Sequence, residues 1–301
     1  MGRKDIMNIG IITVRDRAYH PTRRLIEAAG QKGHRITLIH PYRLWPMIAG
    51  NTPAVTGEAA FAMPDVILPR QGAQIGQSSR VLISQLELMG IPLVNGLDAI
   101  RLASNQFLTL QALVTAGVPV PDTLFINAAD GTRNMTAHVG DYPVVVKEIN
   151  GRQGTGVVLV KNENERDQVV HTRLQKTRGL LLQRFIPTRG RRDIRALVIG
   201  GEVVGGMRLL PPPGEFRANY HLGATGQVQV LTDTVAGIAV EATRAVGLDI
   251  AGVDLSMDAK GRVYVIEVNY APGFKGLEKA TGLDIAGLMV DYSTGVVARQ
   301  L

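Results

Sequence analysis

Short apolar segments separated by polar turns set the pattern of the first hundred residues. Apolar runs predict buried strands at 8–14, 35–40, 65–69 and 91–95. The helical spacing of apolar positions predicts helices at 21–32 and 79–89. Because strands and helices follow one another through short connections, we expect a parallel α/β layer in this part of the chain.

A different pattern follows the proline-containing stretch GVPVPDT at 117–123. Ser104 is expected to cap the helix that precedes this stretch. Beyond it, apolar runs follow one another with few helices between them, and they predict strands at 143–149, 156–160, 180–186, 193–200 and 202–210. Gly200 and Gly201 predict a hairpin between the last two strands, so antiparallel pairing is expected.

The C-terminal part of the chain returns to helices around one more strand pair. The pattern predicts strands at 251–258 and 262–270 and helices at 233–246, 275–280 and 284–298. The fold class is therefore α/β changing to α+β. A length of 301 residues corresponds to about two domains, or to one domain with subdomains.

Composition narrows the chemistry that such a fold can carry. The chain has no cysteine, which excludes disulfides and cysteine-ligated metal centres and fits a cytoplasmic location. The net charge of +7 favours anionic partners, but the basic residues are dispersed and do not alternate with aromatic residues, so nucleic acid is not indicated. No apolar run approaches the about 18 residues of a membrane-spanning helix, and no membrane partner is expected.

Several common nucleotide-binding and catalytic motifs are missing from the sequence. It contains no Gly-x-x-x-x-Gly-Lys-Ser/Thr, no Gly-x-Gly-x-x-Gly after the first strand, no His-Glu-x-x-His and no Gly-x-Ser-x-Gly. The six histidines are scattered along the chain. The sequence therefore argues against a P-loop protein and against the familiar zinc-protease and serine-hydrolase sites.

Lys147 lies within the apolar strand PVVVKEI, directly before the glycine-rich segment GRQGTG. A cation among apolar neighbours needs a partner. Gly151, Gly154 and Gly156 let backbone N–H groups approach an anion closely. A lysine before a glycine-rich hairpin suits the phosphates of a triphosphate, and the alternative is an edge-strand lysine beside a flexible turn.

Two acidic residues and an amide interrupt the last predicted strand pair. Asp254 lies in GVDLSMD, and Glu267 and Asn269 lie in VIEVN. Glu267 and Asn269 are two residues apart and share one face of their strand, and strand pairing can place Asp254 on that face too. Two carboxylates and an amide oxygen suit Mg²⁺ bound together with phosphate oxygens. The alternative is a solvated sheet face.

A polar loop with the sequence EFRANYHLGATG follows the prolines at 211–213. Its candidate functional residues are Arg217, Asn219 and His221. The loop either covers the surface with a solvated Arg217 or brings that cation to a developing negative charge. The residues alone leave both interpretations open.

Together, these three features resemble the ATP-grasp fold and, more specifically, the RimK-type carboxylate–amine ligases. Segments similar to the family occur in the family's order along nearly the whole chain: TRRLIEAAGQKGH, DVILPRQGA, VVVKEINGRQGTGVVLV, FRANYHLGA, AGVDLSMD and VIEVNYAPGFKGLEKATGLDIAG. Each string is modest evidence by itself. The resemblance rests on their order and spacing across about 250 residues.

The resemblance implies an ATP-grasp fold in three parts. A parallel α/β pre-ATP-grasp domain is expected at 1–100, a central lobe at 101–190, and a C-terminal lobe with the magnesium site at 191–301. The central and C-terminal lobes would clasp ATP between them.

The family also implies roles for individual residues in binding ATP. Lys147 would contact the phosphates, and the segment that contains Gly151, Gly154 and Gly156 would close over them. Contacts to the adenine and ribose are implied for Arg184, Phe185 and Asp193.

The remaining implied roles concern catalysis and the metal. Arg217 and Asn219 would meet the γ-phosphate and the forming acyl phosphate, so that both would be catalytic together with Lys147. Two Mg²⁺ ions, with Mn²⁺ as a substitute, would be bound by Asp254, Glu267 and Asn269.

The implied reaction is ATP-dependent amide or peptide bond formation through an acyl phosphate. The amino-acid substrate would be glutamate, and the acceptor would be a protein, a peptide or a small molecule with a carboxylate. A homodimer or homotetramer is the oligomeric state that the family implies. The chemistry requires no protein nucleophile, which agrees with the absence of cysteine.

Three positions depart from the family pattern. Asn105-Gln106 replaces the usual Asp-Lys, Gln183-Arg184-Phe185 replaces Gln-Glu-Tyr, and Leu209-Leu210 stands where paired arginines are expected. The first change removes a second nucleotide-contacting lysine, the second removes a carboxylate at the lobe junction, and the third makes glutamate specificity less secure than the ATP chemistry. They also motivate an alternative, a non-catalytic nucleotide-binding regulatory protein, while a basic ribosome- or nucleic-acid-associated module is less favoured.

Overall fold

The N-terminal part of the protein is built on a parallel sheet. The structure is a computed structural model that describes residues 6–57, 61–71, 76–149, 156–218 and 222–299. The first elements are β1 (Asn8–Ile12), α1 (His20–Gln31), β2 (Arg35–Ile39), β3 (Leu44–Ala49), β4 (Thr52–Gly57), β5 (Val66–Pro69), α2 (Gln77–Leu88) and α3 (Leu97–Ala103). The strand order is β2-β1-β5, with both pairs parallel, so the predicted parallel α/β layer is confirmed.

Three details of this region differ from the prediction, and one is the unpredicted helix α3. The strand predicted at 91–95 is reduced to a single parallel bridge between Leu93 and Ile67. Pro92 has no N–H to donate and contributes only its carbonyl, which accepts a hydrogen bond from the Ile67 amide. The third difference is an additional antiparallel hairpin, formed by β3 and β4.

The central part is an antiparallel sheet with its own apolar core. Its elements are α4 (Gln106–Thr115), β6 (Thr123–Ile126), α5 (Thr136–Val139), β7 (Val144–Glu148), β8 (Val157–Val160), α6 (Glu163–Leu174) and β9 (Leu180–Arg184). The strand order is β6-β9-β7-β8. Buried residues of the sheet pack against α5 and α6, among them Val144, Val146 and Val170.

The helix α4 begins one residue later than expected, and Ser104 is not its cap. The Asn105 side chain accepts hydrogen bonds from the amides of Phe107 and Leu108. The Ser104 hydroxyl instead donates to the carbonyl of Ile100 in the preceding helix, at 2.6 Å. Both residue types can cap a helix, but Ser104 is occupied in closing α3.

A five-stranded antiparallel sheet forms the C-terminal part. Its elements are β10 (Arg192–Ile199), β11 (Glu202–Leu210), β12 (Thr225–Val228), α7 (Asp233–Val246), β13 (Ile250–Met257), β14 (Val263–Asn269), α8 (Lys275–Thr281) and α9 (Ile285–Ala298). The strand order is β12-β11-β10-β13-β14. Gly200 and Gly201 form the predicted hairpin turn, with φ of +59° and +84° that side chains disfavour.

The C-terminal sheet is covered on both faces, and one face joins it to the N-terminal part. Residues of α7 pack with one face of the sheet, while α8 and α9 pack on the other face together with α1 and β1. The side-chain amide of Asn95 donates to the backbone carbonyls of Ile250 and Tyr270, both at 2.8 Å. The N-terminal layer is thereby attached directly to β13 and to the end of β14.

None of the helices in the described ranges combines the length and apolar character needed to cross a bilayer.

Candidate active site

A cleft separates the central sheet from the C-terminal sheet. It encloses about 1000 Å³ of space that is continuous with solvent, enough for a ligand of nucleotide size. Seven of the residues singled out from the sequence line it: Lys147, Arg184, Phe185, Asp193, Arg217, Asp254 and Glu267. The structure therefore brings together residues from both lobes that are far apart in the chain.

Two acidic residues and an arginine lie in one row across three neighbouring strands; the two acids are called the acidic row below. Asp254 on β13 faces Glu267 on β14 and Arg195 on β10. The predicted placement of Asp254 and Glu267 on one face is thereby confirmed. The register shifts directly beside this row, and Ile266 is the extra residue of a β-bulge, so the carboxylates lie where the strand pairing is locally irregular.

Arg195 binds both oxygens of the Asp254 carboxylate. Its Nε and Nη2 donate at 2.6 and 2.5 Å to Oδ1 and Oδ2. Such a bidentate pair fixes the orientation of the carboxylate. The Asp254 and Glu267 charges also raise the pKa of Arg195, against the effect of burial.

Glu267 and Lys147 have opposite charges in the same buried part of the cleft. Burial, together with the Asp254 charge, raises the pKa of Glu267 to about 7. Burial lowers the pKa of Lys147 to about 8, although Glu267 and Asp254 act in the other direction. Both shifts show that burial in the cleft disfavours the charged forms of Glu267 and Lys147. A ligand that brings a charge opposite to either side chain is therefore strongly favoured there.

Lys147 is held in place from the central sheet. The side chain is only 8% exposed, and its Nζ donates to Oε1 of Gln183 on β9 at 2.6 Å. The Gln183 amide in turn donates to the Thr123 hydroxyl at 2.8 Å. This chain of hydrogen bonds orients the ammonium group before any ligand is present.

Asp193 is held at the C-terminal side of the cleft. The Ser256 hydroxyl donates to one of its oxygens, and Arg191 Nε donates to the other at 3.0 Å. Burial raises the pKa of Asp193, and the Arg191 charge opposes that shift. Arg191 also donates to the carbonyls of Ile186 and Phe216, so it connects the segment between the lobes to the Phe216 loop.

Arg184 and Phe185 form the edge of the cleft where the two lobes join. Arg184 pairs with Asp122 at 3.1 Å, and its guanidinium stacks over the Tyr264 ring at 5.2 Å. The Phe185 ring contacts Phe216 edge to face, with a centroid distance of 6.1 Å. The Arg184 side chain is thus held by Asp122 and Tyr264, and the Phe185–Phe216 pair lies at this end of the cleft.

Arg217 is anchored to a neighbouring acid in the same loop. Glu215 accepts hydrogen bonds from the Arg217 amide and Nε, both at 2.9 Å, and from Nη2 at 2.6 Å. These bonds lower the pKa of Glu215 to about 2. Arg217 thus lines the cleft as an ion pair with Glu215, and its catalytic role stays a prediction.

Some predicted site residues are not placed in the cleft. Gly151, Gly154, Asn219 and His221 lie outside the described residues. Gly156 lies beside the Glu148 carboxylate, at the start of the strand that follows the glycine-rich segment. Asn269 is not among the described residues that line the cleft; it lies further along β14, opposite Gly252.

All three departures from the family pattern contribute residues to the cleft, among them Arg184 and Phe185. Gln106, where a lysine is expected, is part of its lining. Leu209 faces Asp193 across β10 and β11 and is 3% exposed. An apolar side chain therefore occupies a wall position where an arginine is expected.

The oxygen ligands in the cleft fit a divalent cation. Asp254 and Glu267 face each other, and their like charges repel in a buried place, which a bound cation would relieve. Within the described ranges there is no group of three or more His, Asp or Glu side chains that could hold a metal by itself. The donor set is therefore suited to an ion completed by phosphate oxygens and an amide.

Sequence reasoning missed several residues that hold the site together. Arg195, Arg191, Ser256 and Glu215 all bind a predicted site residue directly. One signal was present for Arg195, which is two residues from Asp193 in the same apolar strand and so shares its face. The others depend on strand register or on loop conformation.

The comparisons with known proteins agree along the whole chain. A family model described as the RimK-like ATP-grasp domain matches residues 103–293, and one described as the RimK PreATP-grasp domain matches residues 7–100. A protein of Aliivibrio fischeri named "Probable alpha-L-glutamate ligase" is 37% identical over 288 residues, which is 95% of each chain.

Solved structures share the fold. The RimK domain protein ATP-grasp from Sphaerobacter thermophilus superposes with a TM-score of 0.74 at 24% identity, covering 95% of this chain and 99% of that one. The ATP-grasp ligase PsnB, solved with a precursor variant, Mg and ADP, has a TM-score of 0.73 at 20% identity, with 97% and 98% covered. On its sequence and on its cleft, this chain belongs to the RimK-like ATP-grasp family of ligases.

Proposed function

We propose that this ligase uses ATP and Mg²⁺ to join the amine of glutamate to a carboxylate of a peptide or small-molecule acceptor. The observation that carries the proposal is the meeting of Lys147, Asp254 and Glu267 in one cleft between two lobes. Cations on one side and carboxylates on the other suit a polyphosphate with its metal.

The ATP phosphates would lie between Lys147 and the carboxylate row. Lys147 is positively charged below a pH of about 8, and Gln183 directs its ammonium group. The adenosine end would occupy the part of the cleft near Phe185, with Asp193 accepting hydrogen bonds from the ribose. The segment with Gly151, Gly154 and Gly156 would cover the phosphates.

The metal would be held by Asp254, Glu267 and Asn269. When bound, Mg²⁺ neutralises phosphate charge and so makes the γ-phosphate easier to attack. Two ions, with Mn²⁺ as a substitute, are part of the proposal. Arg195 would keep the Asp254 carboxylate in the orientation that this role requires.

The reaction would proceed in two balanced steps. An oxygen of the acceptor carboxylate attacks the γ-phosphorus, and the bond to the β,γ-bridging oxygen breaks, which releases ADP and gives an acyl phosphate. The amine nitrogen then attacks the acyl carbon, phosphate leaves, and the nitrogen gives up a proton. Lys147, Arg217 and Asn219 would stabilise charge that grows on the transferred phosphoryl group.

The choice of glutamate follows from relatives rather than from the cleft. Proteins named "Probable alpha-L-glutamate ligase" match this chain over 95% of its length, including one from Methanococcoides burtonii at 36% identity. PsnB has been solved with a precursor peptide, which supports a peptide among the acceptors to be tested. Leu209 in the wall makes the substrate contacts of this chain different from the family pattern.

A panel assay tests the proposal. The protein is incubated with ATP, Mg²⁺, one amino acid at a time and a set of carboxylate acceptors, and ADP release and product mass are measured together. We expect ADP and an amide product with glutamate, and neither with Glu267→Gln. Absence of ADP with every combination would contradict the proposal and would favour the regulatory alternative.

A further inference from the structure

The parallel sheet of the N-terminal part has an open carboxyl edge that faces the C-terminal lobe. β1 lies in the middle, with β2 on one side and β5 on the other. Ligands of open α/β sheets bind outside the carboxyl ends of the strands, at the place where the strand order reverses. In this sheet the reversal lies between β1 and β5, and the residue that follows β5 is Arg70.

Arg70 is a partly buried cation at this edge. Its amide donates to the Ile12 carbonyl at the end of β1, at 2.8 Å, and its Nη2 donates to the Pro272 carbonyl at 2.6 Å. Among the described residues, Nε is buried without a hydrogen-bond partner and no carboxylate forms an ion pair with Arg70. Burial lowers the pKa of Arg70 to about 10, so the guanidinium is still charged at neutral pH.

A buried guanidinium without a counter-ion is unfavourable unless something outside the protein supplies the charge. Buried charged groups in folded proteins are paired, and removing the partner of such a group is strongly destabilising. A carboxylate is the planar anion that an arginine binds best, through two parallel hydrogen bonds. Arg70 keeps part of its surface exposed, so a ligand can reach it.

The neighbours of Arg70 also point to a ligand. The Phe274 ring contacts both Arg70 and His20. Its centroid is 5.8 Å from the guanidinium carbon of Arg70 and 5.6 Å from the centroid of the His20 imidazole, so the guanidinium lies against an apolar ring. Gln71 is 6% exposed; its amide donates to the Ser79 hydroxyl at 3.0 Å, and its Oε1 has no partner in the described part of the chain. Two consecutive residues at this edge, Arg70 and Gln71, therefore each have a buried polar atom without a partner among the described residues.

This edge is close to the proposed reaction site. Pro272, which accepts the hydrogen bond from Arg70, packs against Gly252, where an added Cβ would come within 2.7 Å of the proline ring. Gly252 faces Asn269 across β13 and β14. Arg70 is thus attached to the segment directly after the strand that carries Glu267 and Asn269, with the acidic row further along the same strand.

We propose that Arg70 binds a substrate carboxylate that the reaction does not consume, and so positions that substrate beside the acidic row. The proposal rests on the ligase function proposed above and adds a residue of the N-terminal part to its substrate site. The carboxylate belongs either to the incoming amino acid or to the acceptor, and the kinetic constants distinguish the two.

The test compares Arg70→Gln, Arg70→Lys and a charge-matched control, Arg35→Gln. Arg35 is exposed and begins β2 at the opposite edge of the same sheet. In Arg70→Gln we expect the KM of one substrate, glutamate or acceptor, to rise about 10- to 100-fold, with an unchanged KM for ATP and partial recovery in Arg70→Lys. Arg35→Gln should behave as wild type.

Substrates with one carboxylate converted to an amide complete the test. Wild type should lose about the same factor with the amide that Arg70 recognises, whereas Arg70→Gln should not distinguish acid from amide. Unchanged KM values for both substrates, or an equal loss with every analogue, would overturn the proposal. Thermal unfolding of each variant shows whether it is folded.

The two proposals can fail separately. If wild type releases no ADP with any combination, the ligase function fails, and the Arg70 site is then examined by calorimetric titration. The titrants are glutamate, and a peptide with a free C-terminal carboxylate compared with its amide. Binding to wild type that is lost in Arg70→Gln supports the site, whereas equal binding to both, or no binding to wild type, overturns it.

Discussion

Arg195 and Asp254 face each other across β10 and β13, and the guanidinium binds both carboxylate oxygens, at 2.6 and 2.5 Å. The pair lies directly beside Glu267, so three charged side chains from three strands form one row. Within this row the Asp254 and Glu267 charges raise the pKa of Arg195, and the Asp254 charge, together with burial, raises the pKa of Glu267.

Replacing Arg195 by Met should destabilise the metal-free protein. The change leaves Asp254 without its cation next to Glu267, and breaking a buried ion pair typically costs about 3–5 kcal/mol. Urea unfolding in EDTA measures the difference, and Arg195→Lys should lose less. Equal unfolding midpoints for wild type and Arg195→Met would show that the pair contributes nothing to stability.

Glu267→Gln should remove part of the pH dependence of the free energy of unfolding. The pKa of Glu267 rises from 4.5 to about 7 in the folded protein, so the folded state binds a proton that the unfolded chain releases between these values. This contribution to stability is present below pH 4.5 and is lost as the pH rises through 7.

A glutamine at this position cannot ionise. The metal-free Glu267→Gln protein should therefore be about 3 kcal/mol more stable than wild type at pH 8 and equally stable at pH 4.5. Unfolding in EDTA across this pH range checks the prediction. The same variant should release no ADP, and a variant that retains activity would refute the metal assignment.

Lys147→Ala should reduce ATP-dependent turnover by at least about 100-fold, because it removes the cation proposed to face the ATP phosphates. Gln183→Ala removes the acceptor of the Lys147 hydrogen bond and leaves Lys147 in place, so it should cause a smaller loss. Steady-state ADP release measures both. Wild-type turnover in Lys147→Ala would remove this residue from the mechanism.

Arg217→Ala should lower kcat by about 100- to 1000-fold with little change in stability. The Arg217 side chain is about one quarter exposed, at 28%, so its ion pair with Glu215 contributes little to folding. Arg262→Ala is the matched control, since Arg262 pairs with Asp258 in the same lobe but lies outside the cleft lining. An equal kcat loss in both variants would argue against a specific role.

Asn105→Ala should destabilise the protein by about 1 kcal/mol, because Asn105 caps α4. Ser104→Ala removes a hydroxyl of the neighbouring residue that caps no helix N-terminus and should cost less. Thermal unfolding of both variants decides between the predicted cap and the one that the structure places there.

The sequence was most informative where polar residues interrupt apolar strands. Lys147 in PVVVKEI and Glu267 in VYVIEVN need a charged or polar partner if they are buried in their strands, and the structure places both in the cleft. The pairing of Glu267 with Asp254 follows from the β13–β14 hairpin, which links neighbouring parts of the chain, whereas Lys147 reaches them from the other sheet. The strands of the β10–β11 and β13–β14 hairpins could therefore be predicted with nearly correct limits, and α7 could be predicted from its helical spacing, whereas β6, β12 and α6 were not predicted.

Contacts between distant segments could not be predicted in this way. The Arg195–Asp254 pair depends on the register of β10 against β13, and these strands are separated by a hairpin, a loop and a helix. The β3–β4 hairpin was missed because Pro46 and Pro53 interrupt its strands, although Gly50-Asn51 is a typical hairpin turn. The cytoplasmic location, the oligomeric state and the limits of the three parts remain predictions.

The central claim is that an acceptor carboxylate takes the γ-phosphoryl group of ATP before the amine attacks. It is tested most directly with an acceptor, identified by the panel assay, in which both oxygens of the reacting carboxylate are ¹⁸O. After turnover with glutamate and Mg²⁺, mass spectrometry of the inorganic phosphate should show one ¹⁸O atom per phosphate, together with equal amounts of ADP and amide product. Unlabelled phosphate, or label in AMP, would contradict the account.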